Sequence, residues 1–597
     1  MATFSLQYSL PSLPVPNLDM VLEKYLQSAE VFLTDEQKER TKQIVEEYRQ
    51  SVLCEQVDNA LRNRAATSRN WLEEWWYDAY NEIRSPLLPF VSLTSVNQRF
   101  PQAEGTQLCR AADFLHYTTK YWLSIRREEI AITKSRGIVW DMYQYYAMFN
   151  AARIPARQKD VIQRFFCTER EGQCPSEVAV LCRGNVWIIE TMQNNEVLPP
   201  DVFLHQLKYI YEHSEVVRHS ILSLTTLQRD QWADARIHLQ SLSESNASNI
   251  ARIERTIFAI SLTDETFSHS DDVIKYGLTG DARAQWVDKS MNFFFHKDGR
   301  VGTQAEHSNV DAIVILDASD LSSKLSRKDI WRPQEMEHPK PIKIDFTMDA
   351  SLESAVETGE KVFKEIGSTL IGKTLNFELF GNERFKFSKV YGDTIVQMAL
   401  QLAFYRTHKK LAPAYETAST RRFFHGRTET VRSCTASLAK LVRLIIDDSA
   451  ENAILQATFV EAYETHNQLM AEAMEGRGCD RYLYGVSKII DQFNKERLSK
   501  IPRPEIFTDP AWKLCGGDGN FALSTSFVGY DVDGSYGYVA PMCEDGYGVF
   551  YKIGPDRIIM ALSAFTTSKL TNLERMIANV HWSLEYLSQF FPITSRM

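Results

Sequence analysis

Apolar residues take up helical spacing from about Asn17, with Val21, Leu22, Tyr25 and Leu26 along one face. Before that point Pro11, Pro14 and Pro16 forbid a helix. Thr34-Asp35-Glu36-Gln37 reads as a capping box that opens a second helix running to Tyr48. Asn70-Trp71-Leu72-Glu73-Glu74-Trp75-Trp76 reads as a core helix rich in tryptophan. The apolar runs 178–182 and 186–189 flank Arg183-Gly184-Asn185 and predict a β-hairpin with a Gly-Asn turn. Residues 223–264 are polar and helical in period, whereas 295–345 show no clear period. Pro333, Pro339 and Pro341 suggest a linker, which puts a domain boundary near residue 340. Beyond it, helices are predicted at 393–408, 430–446, 453–474, 480–495 and 572–590. Short strands are predicted at 521–524, 538–540, 548–551 and 558–560. The sequence shows no internal repeat. The pattern predicts mixed sheets covered by helices, an α/β or α+β architecture in two domains, 1–340 and 341–597.

The chain of 597 residues is too long for one core. Its composition, 44% hydrophobic and 24% charged, is that of an ordinary globular protein. A formal charge of -10 argues against a general nucleic-acid binder but leaves room for a local basic pocket. The nine cysteines contain no C-x-x-C, which argues against a zinc site or a disulfide framework and for a reducing compartment. No metal site is expected. No apolar run is long enough to span a membrane, and the N-terminus has no secretory pattern. The chain ends Ser595-Arg596-Met597, the small-basic-apolar form of a peroxisomal address.

One stretch suggests chemistry. Glu306-His307-Ser308-Asn309-Val310-Asp311 places an imidazole four residues before a carboxylate. In a helix or tight turn the two share a face. A carboxylate that accepts from one ring nitrogen fixes the tautomer and leaves the other nitrogen free as a base.

Eight strings then occur in order across nearly the whole chain. They are Ser12-Leu13-Pro14-Val15-Pro16, Trp71-Leu72-Glu73-Glu74-Trp75-Trp76, the histidine stretch, Tyr415-Glu416-Thr417-Ala418 and Gly426-Arg427-Thr428-Glu429-Thr430. Asp480-Arg481, Leu523-Ser524-Thr525-Ser526 and Asp545-Gly546-Tyr547-Gly548 complete the set. Together they resemble the carnitine/choline acyltransferase family, and the segment 524–551 is most similar to its peroxisomal, octanoyl-type members. The resemblance implies two similar CoA-dependent acyltransferase-type domains with an active-site tunnel between them. It also implies that a short stretch near 71–90 associates with the C-terminal domain.

The implied reaction is reversible acyl transfer between CoA sulfur and the carnitine hydroxyl. In it His307 is the base, Asp311 its orienter and Ser526 the donor to the oxyanion. Arg481, with Tyr415 and Thr428, matches the carboxylate site, and Tyr80 a further carnitine contact. Choline-specific relatives lack that arginine and the Thr-x-Thr kept here as Thr428-Glu429-Thr430. The family's CoA motif has two lysines and a later aspartate. Here Lys386 and Asp393 match, Asn382 replaces the first lysine, and Arg384 or Lys389 is expected to supply the missing charge. Gly537, four residues before Pro541, matches a position where a bulky methionine limits relatives to acetyl groups. A glycine there implies an open acyl pocket for chains of about C6 to C10, worth about 0.8 kcal/mol per buried methylene.

The resemblance thus implies a monomeric peroxisomal-matrix enzyme with no resident cofactor. Its partners are acyl-CoA, L-carnitine and a peroxisomal import receptor. The rival expectations are an acetyl-preferring member and a catalytically silent acyl-CoA-binding relative.

Overall fold

The computed structural model describes residues 2–99, 106–135, 137–326, 339–448, 450–496 and 500–591. Two mixed sheets organise it. The first runs Ile342–Ile344, Asn185–Glu190, Glu177–Cys182, Ala259–Leu262, Met291–Phe295, Val301–Glu306, Ser92–Asn97 and Ser535–Val539. The second runs Leu370–Phe377, Ile558–Phe565, Tyr547–Ile553, Leu523–Phe527, Ala414–Ser419 and Thr428–Arg432. In each sheet one strand, Ala259–Leu262 or Leu523–Phe527, is parallel to both neighbours. The pairs flanking these three strands are antiparallel in both sheets. Six strands of the first sheet therefore repeat the pairing pattern of the second. The near-continuous apolar runs follow from this, because strands covered on both faces bury every side chain.

Helices Gln107–Arg126, Pro200–Glu212 and Ala312–Ser326 cover one face of the first sheet. Gly392–His408, Ala436–Asp447 and Leu573–Leu587 cover the second. Asn17 caps the helix Leu18–Ala29, and Thr34 and Gln37 form the expected capping box of Asp35–Arg49.

Three expectations are corrected. Residues 1–340 are not one domain. Leu13, Leu22, Tyr25, Val45, Leu61 and Trp71 pack on Leu483, Val486, Ile490 and Phe507 in the half that holds the second sheet. The apolar stripe of the N-terminal helices is completed by the helix Asp480–Glu496, so far more than 71–90 joins that half. In return Ser535–Val539 leaves the second half and pairs with Ser92–Asn97 in the first sheet. Pro333 lies outside the described residues. The hairpin turn is Arg183-Gly184, because Cys182 pairs with Asn185 and both turn residues have positive φ, 51° and 83°. Thr430 to Arg432 ends a strand, and the helix predicted there starts at Ala436.

Candidate functional site

A cavity of about 1510 Å³ lies between the halves, walled by both sheets and by the helix Glu73–Asn81. His307 enters its wall directly after the strand Val301–Glu306. Nδ1 donates to the carbonyl of Val310 at 2.8 Å. A carbonyl only accepts, so this bond fixes the tautomer and leaves Nε2 with its lone pair.

The carboxylate of Asp311 does not make that contact. It accepts from Arg427 Nε at 3.0 Å and from Gln144 Nε2 at 2.8 Å, while its own amide donates to Gln144 at 2.7 Å. Arg427 also donates to the carbonyls of Ser308 at 2.9 Å and His307 at 3.1 Å. Asp311 therefore steadies the backbone of the turn through Arg427 and does not orient the imidazole. The reason is steric: a three-residue turn returns the Val310 carbonyl to Nδ1 before Asp311 is reached. Burial pushes the Asp311 carboxyl up, but Arg427 and His307 outweigh it and hold the group below its ordinary range. Asn309 completes the frame by accepting from Arg164 at 2.9 and 2.6 Å and donating to the Ala147 carbonyl.

Arg481, in the first turn of its helix, is only 8% exposed. Its Nε donates to the Thr428 carbonyl at 3.0 Å and its Nη1 to Thr430 Oγ1 at 3.2 Å. Its Nη2 donates to Tyr415 OH at 3.1 Å and Thr428 Oγ1 at 3.2 Å. The guanidinium lies 4.0 Å from the ring centroid of Trp76. The expected Arg481, Tyr415 and Thr428 thus converge, with Thr430 and Trp76 added from the same strings. The Tyr80 ring stands 5.7 Å from that of His307. Ser526 stands in the cavity wall on the strand Leu523–Phe527.

The CoA candidates divide. Asp393 is in the wall, accepts from Tyr551 OH and sits beside a Glu416–His466 pair at 2.7 Å, which sequence reasoning did not single out. Burial raises the Glu416 carboxyl to about 7 despite His466. Lys386 is exposed in the last turn of Asn382–Phe387 and is not among the wall residues. Arg384 is turned away from the cavity. It lies over Phe380 and Phe591, at 4.7 and 5.3 Å, and donates to the Ser588 carbonyl at 3.0 Å. Its stem and planar head fill an aromatic gap, so it does not replace the missing lysine.

Gly537 is also misplaced as an acyl-pocket residue. It is opposite Ser95 in the strand pair, and a Cβ there would come within 1.8 Å of the Thr94 carbonyl oxygen and 2.6 Å of Ser95 Cα. This glycine permits a close strand approach, while Val539 and Ala540 supply the wall. Gly537→Ala is therefore expected to lower stability by more than the roughly 1–3 kcal/mol of ordinary overpacking. Thermal unfolding checks it: an unshifted midpoint together with a shortened chain-length profile would restore the acyl-pocket role. Ser595-Arg596-Met597 lies outside the described residues.

Two like domains, a histidine base candidate from one and an arginine-hydroxyl pocket from the other, facing one cavity, are the layout of a two-substrate transferase for an anionic acceptor. Comparison with known proteins agrees. A family profile described as Choline/Carnitine o-acyltransferase matches residues 13–582. Peroxisomal carnitine O-octanoyltransferase of Mus musculus is 35% identical over 590 residues, covering 96% of this chain and 95% of that protein. The Homo sapiens protein of that name is 34% identical with the same coverage. Carnitine O-acetyltransferase of Homo sapiens is 27% identical over 96% of this chain and 91% of its own length. The chain belongs to the choline/carnitine O-acyltransferase family.

Proposed function

We propose that this protein is a carnitine O-acyltransferase that moves medium-chain acyl groups reversibly between CoA and L-carnitine. The observation that carries the reading is the Arg481 pocket. A buried guanidinium held by hydroxyls suits a carboxylate, which carnitine has and choline lacks. The medium-chain preference is supported by the names of the octanoyltransferase relatives.

In the forward direction His307 Nε2 takes the carnitine hydroxyl proton as that oxygen attacks the thioester carbonyl. Ser526 donates to the oxyanion of the tetrahedral adduct. The adduct collapses, the C–S bond breaks, and the imidazolium returns its proton to the departing sulfur. Both substrates sit in the cavity together, so neither a covalent acyl-enzyme nor a resident cofactor is used. The acyl chain lies against Ile83, Val91 and Val539 of the wall. Asp393 of the wall and the exposed Lys386 contact CoA. The enzyme acts as a monomer in the peroxisomal matrix and exports chain-shortened acyl groups as carnitine esters.

The test is thiol release from acyl-CoAs of C2 to C16 with L-carnitine. The expected result is a maximum between C6 and C10. A maximum at C2 would overturn the medium-chain assignment, and no turnover at any length would make the protein a binding relative.

A further inference from the structure

Arg153 lies on the strand Ala151–Ile154 with its side chain wholly enclosed. Its three nitrogens reach three different segments. Nε donates to Asp160 Oδ2 at 2.8 Å, Nη1 to Glu306 Oε1 at 3.2 Å, and Nη2 to the Tyr80 carbonyl at 2.6 Å. Glu306 is the last strand residue before His307. Its carboxylate also accepts from the amide of Ser308 at 3.2 Å and from the Ser308 hydroxyl. It therefore holds the residue on the far side of His307 as well. Tyr80 belongs to the helix Glu73–Asn81 and presents its ring to the imidazole. One guanidinium thus ties together the two segments whose aromatic groups face each other at the proposed reaction centre.

The anchor continues inward. Asp160 also accepts from Arg229 Nε at 2.7 Å and pairs with Arg84 at 2.9 Å. Arg229 Nη1 donates to Asp288 Oδ1 at 2.7 Å, and Trp232 Nε1 donates to Asp288 Oδ2 at 2.6 Å. Three guanidiniums meet three carboxylates, all nearly enclosed except Arg84. Such a network is poor value as stability alone, because apolar side chains of similar volume commonly do as well or better. What it supplies here is fixed geometry: planar guanidiniums that each bridge several acceptors, in place of rotatable apolar side chains.

We infer that Arg153 is a positioning residue for acyl transfer, setting the distance and angle between the His307 imidazole and the Tyr80 ring through Glu306 and the Tyr80 carbonyl. This rests on the base role proposed for His307. Arg153 touches neither substrate. Its loss acts through the imbalance left at Glu306 and the release of the helix end at Tyr80.

The experiment uses the full-length protein with octanoyl-CoA and L-carnitine. Arg153→Lys keeps the charge but cannot span three acceptors in one plane. It is expected to lower kcat about 10²-fold, the cost of a small displacement of a reacting group, with both KM values within about threefold of wild type. Thermal unfolding is read alongside. Combining Arg153→Lys with His307→Ala separates positioning from general damage: the double variant is expected to be no slower than His307→Ala alone. A wild-type kcat in folded Arg153→Lys overturns the inference, as does a double variant slowed by the product of the two factors; the base role then stands. A wild-type kcat in His307→Ala alone overturns the base role and this inference together, and is recognised by that single variant. Should Arg153→Lys fail to fold, Glu306→Gln is read by the same criteria, since it keeps the shape while removing the charge that faces Arg153 and one of the two oxygens that accept from Arg153 and Ser308.

Discussion

Replacing His307 with alanine is expected to lower kcat about 10³-fold while leaving the KM for acyl-CoA and for carnitine nearly unchanged. General-base catalysis is worth roughly 10² to 10⁴ in rate. The lower end of that range is exceeded because the imidazole is already set for the task. Its Nδ1 proton is committed to the Val310 carbonyl, so Nε2 is the acceptor of the neutral ring. The backbone on either side is held by Glu306 and Arg427, and the Asn309 side chain by Arg164. Little reorganisation then remains when the hydroxyl proton moves. Steady-state kinetics over the acyl-CoA series measures it. A variant that kept kcat and raised only KM would make His307 a binding group and remove the base from the mechanism.

The second large effect falls on Arg481. Arg481→Met is expected to raise the KM for L-carnitine about 10²- to 10³-fold, with the KM for acyl-CoA little moved. Truncating one side of an enclosed charge pair costs about 2–5 kcal/mol, much of it from leaving the other charge buried and alone. At about 1.4 kcal/mol per tenfold, that spans the stated range. Arg481→Lys should recover little. The wild-type side chain reaches Tyr415, Thr428 and Thr430 with a planar fork that also lies over Trp76, and an ammonium cannot do both. Choline gives the internal control: with no carboxylate to lose, its poor turnover should change far less, so the preference for carnitine should collapse. An unaltered carnitine KM would place the carboxylate elsewhere and remove the main support for the carnitine reading.

Helix starts and most of the long helices were legible because their signals are local. Asn17 and Thr34 act within one turn, and 453–474 is a continuous pattern that the structure matches to one residue at its start. The arginine pocket was legible too, through strings whose residues converge in space. What failed depended on contacts between distant segments. Asp311 was assigned by spacing, yet its partners are Gln144 and Arg427, 167 and 116 residues away. Arg384 is drawn inward by Phe591, and Gly537 is determined by a strand more than 400 residues earlier. The duplicated strand pattern left no trace in the sequence, because pairing direction is set by connections and not by side-chain identity. Arg153 and Glu306 looked like ordinary charged residues, since burial of a charge has no local signature.

The exchange of segments between the halves bears on how substrates get in and out. The N-terminal helices are built into the half that holds the second sheet, and Ser535–Val539 is hydrogen-bonded into the first. A clam-shell opening would have to break the backbone ladder between Ser535–Val539 and Ser92–Asn97 or pull that strand away from its own half. For the proposed reaction, loading is therefore expected to occur with the two sheets held in place. The same interlock means that a nick between residues 327 and 338 would leave two chains still clasped together. Two separately expressed halves would each present a raw sheet edge or a stripped apolar face, and would be prone to aggregate.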